Sequence, residues 1–269
     1  MGALTFAGAL PARAQITDPL FADGFEPWAV TFRINDLALR DPHLFLPLID
    51  CMDVTDVGDV SVSFNSSLQL SLQNDLNGDG LLDLSYIVRL RPLDQTDGAT
   101  GEFAVGTALC SAPLASTSCR ADGSSLTVST HASQTEAACL GPLPGTTSPY
   151  VPGIDSSLEP CFVTSPATFT LDVAGVTLPL RDARVAATYF GSPLPGLANG
   201  LLAGFVTEAD ADAVILPPSI PIMGGEPLSS VLPGGASSCA AHTDKDVHDG
   251  ASGWWFYFNF AAMPVGYGG

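Results

Sequence analysis

The sequence predicts an all-β protein: an antiparallel β-sandwich, or a flattened barrel, with one or two short helices. Three observations carry that expectation. At least eight short segments alternate apolar and polar residues, the period of a strand with one buried face. The chain is punctuated by 22 Pro and 27 Gly, which mark turns. Its acid excess comes from 22 Asp against 6 Glu, and Asp favours turns over helix interiors. With 46% hydrophobic and only 14% charged residues, positions 29–269 can bury one large core as a single domain.

Residues 1–14, with a short apolar run ending in Ala12-Arg13-Ala14, read as a signal peptide cleaved before Gln15, although no basic residue precedes the run. Residues 15–28 are a turn-rich linker. Ala29 to Leu39 alternates as a first strand. Asp41 to Asp59 is an acidic loop, and Asp50, Asp53, Asp56 and Asp59 surround Cys51 there, either solvated or as a cation site. Val60, Val62, Phe64, Leu68, Leu70 and Leu72 alternate with polar residues and predict a strand; Leu84, Tyr86, Val88 and Leu90 predict its hairpin partner. Gly101 to Leu109 follows as another strand. Ala112 to Pro160 is loop-dominated, with a short strand at Leu126 to Ser129. Thr168 to Phe190 holds two or three strands, broken near Ala174-Gly175 and Arg181-Asp182. Leu201 to Val206 is a strand that hands over to a short helix, started by the Thr207/Asp210 capping pair and stopped by Pro217-Pro218. Pro221 to Gly235 is a loop with one turn around Leu228 to Val231, and Trp254 to Phe260 is the last strand. No internal repeat at a fixed period is present.

Between the expected hairpin strands lies DLNGDGLLDLSY, Asp75 to Tyr86. Asp75, Asn77, Asp79 and Asp83 occupy positions 1, 3, 5 and 9 of a loop, with Gly80 at the sharp turn and the Leu81 carbonyl at position 7. Calcium needs six to eight oxygen ligands, and this alternation wraps short oxygen-bearing side chains around one point. An EF-hand would require a bidentate Glu where Tyr86 stands, and helices on both sides. The stretch instead resembles the DxNxDGxxDL loop of FG-GAP and VCBS modules. That resemblance spans residues 75–84 and occurs once. It implies a structural Ca2+ in a loop flanked by β-strands. A plain Asp/Asn/Gly turn is the competing reading.

The net charge is −19, with a single Lys, so a nucleic-acid partner is excluded by the field of the chain. No run of 18 uncharged apolar residues predicts a transmembrane segment. Six cysteines without a CxxC pair, behind a leader, predict three disulfides in an oxidising compartment. Cys110–Cys119 and Cys139–Cys161 are the local pairs, which leaves Cys51–Cys239 to tie the first half to the last.

Two further stretches can carry chemistry. In His242 to Asp249, an extended backbone would point His242, Asp244, Asp246 and His248 to one side as a zinc or manganese site. Alternatively Asp244, Asp246 and Asp249 could hold a second calcium, or the stretch is a polar loop. In Trp254 to Phe260, Trp254, Phe256, Phe258 and Phe260 form the core face. Trp255, Tyr257 and Asn259 form the other face, either a platform for stacking sugar rings or a surface covered by a second layer such as the 207–216 helix. GxSxG, HExxH, Walker and strand-linked GxGxxG signatures are absent. His43 and His131 read as ordinary polar residues. Acidic pairs for sugar hydrolysis are set by space and can hide among 28 carboxylates. Three classes follow: a secreted, calcium- and disulfide-stabilised module binding carbohydrate or another surface protein; a secreted hydrolase; and a structural subunit of an extracellular assembly.

Overall fold

The period-two segments pair into one antiparallel sheet whose two ends meet. The computed structural model describes residues 29–47, 50–56, 63–146, 150–173, 175–191, 196–218, 220 and 222–268. The expected leader 1–14 and linker 15–28 lie outside the described residues. The first half contains β1 (Val30–Asp41), β2 (Phe45–Pro47), β3 (Cys51–Asp53), α1 (Phe64–Gln73), β4 (Tyr86–Arg91), β5 (Thr100–Thr107), β6 (Leu109–Cys110), β7 (Cys119–Arg120) and β8 (Thr127–Gln134). The second contains β9 (Cys161–Thr164), β10 (Ala167–Val173), β11 (Val176–Phe190), β12 (Gly196–Thr207), α2 (Glu208–Ala213), β13 (Asp246–His248), β14 (Ala251–Pro264) and β15 (Tyr267–Gly268).

In the main sheet the order is β1-β4-β5-β8-β9-β11-β12-β14, and β14 returns to pair with β1. Every one of these pairings is antiparallel, so the strands form a closed ring, the flattened barrel of the two architectures expected. β10 continues the track of β9 along β11, and β13 lies beside the start of β14. Closure removes most of the exposed sheet edge that invites pairing with other chains.

The inward face is apolar. Phe258 of β14 stands opposite Leu39 of β1 and Leu202 of β12, and all three are buried. Phe32, Phe103, Phe169, Phe256 and Phe260 join the same core. Around Val88, Val105, Phe169 and Leu202 they leave a gap of ≈ 10 Å³. That is at most the space of one water, so the described residues fill this part of the interior as packed core.

One expected strand is a helix. Residues 64–73 form α1, started by Ser63, whose Oγ accepts the Ser66 N–H (3.2 Å); Val60 and Val62 lie outside the described residues. Phe64, Leu68 and Leu72 satisfy a period of two and a period of four alike, and tertiary structure decides between them. The deciding partner is β1. β4 pairs with β1 only over Val30–Arg33, so β1 beyond Arg33 presents unpaired backbone on that side. Asn65, Gln69 and Gln73, spaced four apart on α1, supply amides to it. Asn65 Oδ1 accepts the Leu39 N–H (2.7 Å) and its Nδ2 donates to the Leu39 carbonyl (2.9 Å). Gln69 accepts from the Leu37 N–H (3.4 Å) and donates to the Asn35 carbonyl (3.0 Å). Leu68 and Leu72 point the other way, into the core, and are fully buried. Arg33, 2% exposed, pins the helix end by donating to the Leu72 and Leu84 carbonyls and to Ser85 Oγ. Burial lowers its guanidinium to about 10.

The strand expected at Leu126 to Ser129 is longer, and as β8 it is a full member of the ring. Its second half, His131-Ala132-Ser133-Gln134, buries polar groups in place of apolar ones. Ser133 Oγ donates to the Asp94 carbonyl (2.6 Å) and bonds the Tyr189 hydroxyl (2.9 Å). Burial holds the His131 imidazole below its usual range. α2 begins at the Thr207/Asp210 capping pair as expected, with Thr207 Oγ1 accepting the Asp210 N–H (3.1 Å). The disulfides are Cys51–Cys239, Cys110–Cys119 and Cys139–Cys161, the three pairs expected. No described helix is long and apolar enough to cross a membrane.

Replacing Asn65 by Ala strands the N–H and C=O of Leu39 in a buried place, and is expected to cost about 2–4 kcal/mol. The exposed Gln73→Ala, which loses one long bond, should stay within about 0.5 kcal/mol. Urea midpoints of the two variants check this; equal losses would mean that the edge of β1 is satisfied without the helix.

Candidate functional site

The Asp75–Asp83 loop links the end of α1 to β4, so a helix and not a strand precedes it. The resemblance to FG-GAP and VCBS loops therefore departs on the incoming side. Its side chains close the loop on its own backbone. Asp75 Oδ1 accepts from the N–H groups of Gly78 (2.7 Å) and Asp79 (3.1 Å), and Oδ2 from Gly80 (2.8 Å). Asn77 accepts from Asp79 and Asp79 from Leu81, each at 2.8 Å, while Asp83 accepts the Leu76 N–H at 3.2 and 3.3 Å. Gly80 has φ +84°, where a Cβ would be strained. The exit is fastened to the Cys110–Cys119 strand pair: Leu82 N–H donates to the Cys110 carbonyl (2.9 Å) and Ala112 N–H to the Gly80 carbonyl (2.9 Å). All the candidate calcium ligands are oxygens, and a carboxylate oxygen bonded to one N–H, as Asp75 Oδ2 is, retains a lone pair for a cation. Asn74 to Tyr86 contains no Lys or Arg to balance Asp75, Asp79 and Asp83.

The His242–Asp249 stretch does not act as one ligand set. It divides between two places. His242 and Asp244 meet Tyr150, whose hydroxyl bonds His242 Nε2 (2.6 Å) and donates to Asp244 Oδ2 (2.5 Å). His43 stacks on Tyr150 with ring centroids 3.5 Å apart, and its Nδ1 bonds Asp53. Burial acts to raise the Asp53 carboxyl, but hydrogen bonds from His43 and Thr55 outweigh it and the net shift is downward. His43, which reads as an ordinary polar residue in sequence, is thus part of a cluster of two imidazoles, a phenol and two carboxylates near the Cys51–Cys239 bridge. Asp246 belongs to β13, and its carboxyl is raised by burial and then by the charge of Asp244. His248 and Asp249 go elsewhere, to Asp182. Among the described residues, Asp182, His248 and Asp249 are the group of His, Cys or carboxylate side chains whose ligand atoms all lie within 4.8 Å of one another. The acidic 41–59 segment is likewise dispersed: Asp53 serves His43, Asp56 accepts from Asn65 Nδ2 (2.8 Å), and Asp59 lies outside the described residues.

The sugar platform expected of Trp255, Tyr257 and Asn259 is covered: they are 8%, 0% and 8% exposed. The cover is not α2 but the segment between Cys139 and Cys161. Leu140 and Ile154 pack on Trp255, Tyr257, Leu201, Ala203 and Phe205. Tyr257 Oη accepts the Leu143 N–H (3.1 Å) and bonds Thr146 Oγ1 (2.6 Å); Asn259 exchanges bonds with the backbone of Asp155 (3.1 and 2.8 Å). Two large rings on the outer face of a strand bury more cheaply under a disulfide-stapled segment than they stand in water.

Among the described residues, the surface leaves open a shallow groove of ≈ 450 Å³ between α1 and β1, lined by polar and apolar groups together. Asp36, Arg40, Asp56, Gln69, Gln73 and Asn74 line it together with Leu37 and Leu70. The buried Nε of Arg40 has no hydrogen-bond partner among the described residues. Nothing in the sequence pattern marks this groove, because its residues come from a strand, a loop and a helix that reads as a strand.

Tyr257→Phe removes both phenol bonds to the cover. It is expected to cost about 1–2 kcal/mol and to open the 140–155 segment to limited proteolysis at rates above wild type. An unchanged digestion pattern would mean that the phenol does not hold the cover. No protein-family model, curated protein or solved structure matches this chain, so its function has to be read from these residues.

Proposed function

We propose that this chain is an extracellular binding module, stabilised by calcium and three disulfides, whose ligand surface is the groove between α1 and β1. The observation that carries this reading is the groove itself. Its volume of ≈ 450 Å³ lies in the range of small-ligand sites, whereas the barrel interior is filled. Its lining sets amides, carboxylates and one guanidinium beside Leu37, Ala38 and Leu70; the polar groups hydrogen-bond hydroxyls and the apolar ones meet ring faces, so a carbohydrate is the ligand class that fits. Three disulfides belong to the chemistry of an oxidising compartment. Calcium enters through the Asp75–Asp83 loop, where it would gather three carboxylates, Asn77 and the Leu81 carbonyl and so brace the end of α1.

A second reading, glycoside hydrolysis, is favoured by Asp36 and Asp56, two carboxylates in the same groove. A glycan-array screen of the oxidised protein separates these readings. Binding that is lost in Arg40→Ala and kept in Trp255→Ala supports the groove. Release of shorter sugars, lost in Asp36→Asn, supports hydrolysis. Binding that follows Trp255 and ignores Arg40 would remove the groove as the site.

For the metal, saturating Ca2+ at about 100 times its dissociation constant should add about 2.7 kcal/mol, a rise in melting temperature of roughly 5–10 °C over a chelator. The Asp75→Ala/Asp79→Ala double variant should lose that rise. Equal melting in calcium and chelator would reduce the loop to a turn.

A further inference from the structure

We propose that Asp182, His248 and Asp249 form a surface site for a divalent transition-metal cation of the zinc class. The three residues come from separate places in the chain: Asp182 from a bend in β11, His248 from the end of β13, and Asp249 from the turn between β13 and β14. His248 Nε2 lies 2.8 Å from Asp182 Oδ2 and 3.9 Å from Asp249 Oδ2. Tetrahedral ligands about 2.0–2.2 Å from one cation stand about 3.4 Å from each other. The two separations from His248 straddle that value, and all three ligand atoms lie within 4.8 Å of one another, so a cation can be reached by modest side-chain movement. The ring is already oriented, seated against Trp255 (4.8 Å, edge-on) and Phe205 (5.2 Å).

The donor set selects the cation. One imidazole with two carboxylates suits zinc, manganese or cobalt, whereas calcium takes oxygens and would leave the imidazole unused. Arg181, the cation next to Asp182 in sequence, is committed to Asp210 at 2.8 Å. The side chains of His248, Asp182 and Asp249 are 30%, 49% and 86% exposed, so the outward positions of a bound metal face water or an incoming donor. The site shares no residue with the calcium loop or the groove, and it stands or falls apart from them.

The test is a calorimetric titration of ZnCl2 into the oxidised protein held in excess Ca2+. One saturable equivalent is expected. Asp249→Asn and His248→Gln should each weaken it by about tenfold or more, while His242→Gln, in the Tyr150 cluster, leaves it unchanged. Asp249 has φ +50°, a conformation Asn tolerates, so folding is not at stake in that variant. Ni2+ should quench tryptophan emission through Trp255, and His248→Gln should abolish the quenching. No saturable zinc binding would leave a plain His–carboxylate ion pair and overturn the site; so would equal weakening by His242→Gln and His248→Gln.

Discussion

The short contact between β1 and β4 is the constraint on which the rest of this structure depends. A ring of antiparallel strands has no edge only if each strand is paired on both sides along its length, and here β4 leaves β1 after Arg33. Beyond that point the backbone of β1 needs partners that are not a strand. An α-helix whose amides recur every fourth residue meets that need, because four helix residues rise about 6 Å and two strand residues about 6.6 Å, close enough for Asn65 and Gln69 to follow Leu39 and Leu37. Arg33, buried at the parting of β1 and β4, then holds the helix end by its carbonyls. From that junction the chain must return to β4, and the Asp75–Asp83 loop is the return.

This explains which parts of the fold were legible in the sequence. β1, β5, β12 and β14 carry clean apolar patterns against the core, and α2 carries its capping pair, so local rules suffice. Phe64, Leu68 and Leu72 fit two periods, and only the edge of β1, brought near by folding, decides between them. β8 hides because its buried half is His131 and Ser133, polar residues satisfied by Tyr189 and Asp94 from distant segments. The disulfides were legible because spacing alone favoured two local bridges.

The sites divide the same way. The Asp75–Asp83 turn is contained in nine consecutive residues, and its hydrogen bonds follow their spacing residue by residue. The other groupings are built across the chain. His43 finds Tyr150 and His242; Asp182 finds His248; Asp36 and Arg40 face Gln69 and Gln73. For Asp182 the only signal was a break in the strand pattern at Arg181-Asp182, which marks a bend and says nothing of its partner. Trp255 and Tyr257 show the converse: a good local pattern for a platform is overruled by the segment that folds over it.

The Cys51–Cys239 bridge, 188 residues apart in sequence, makes most of the chain a covalent circle. A protease that cuts any one loop within it opens the circle without freeing a fragment, because the two pieces remain joined through the bridge. In a medium rich in proteases, the protein therefore tolerates a first nick as a change of connectivity and not as a loss of parts.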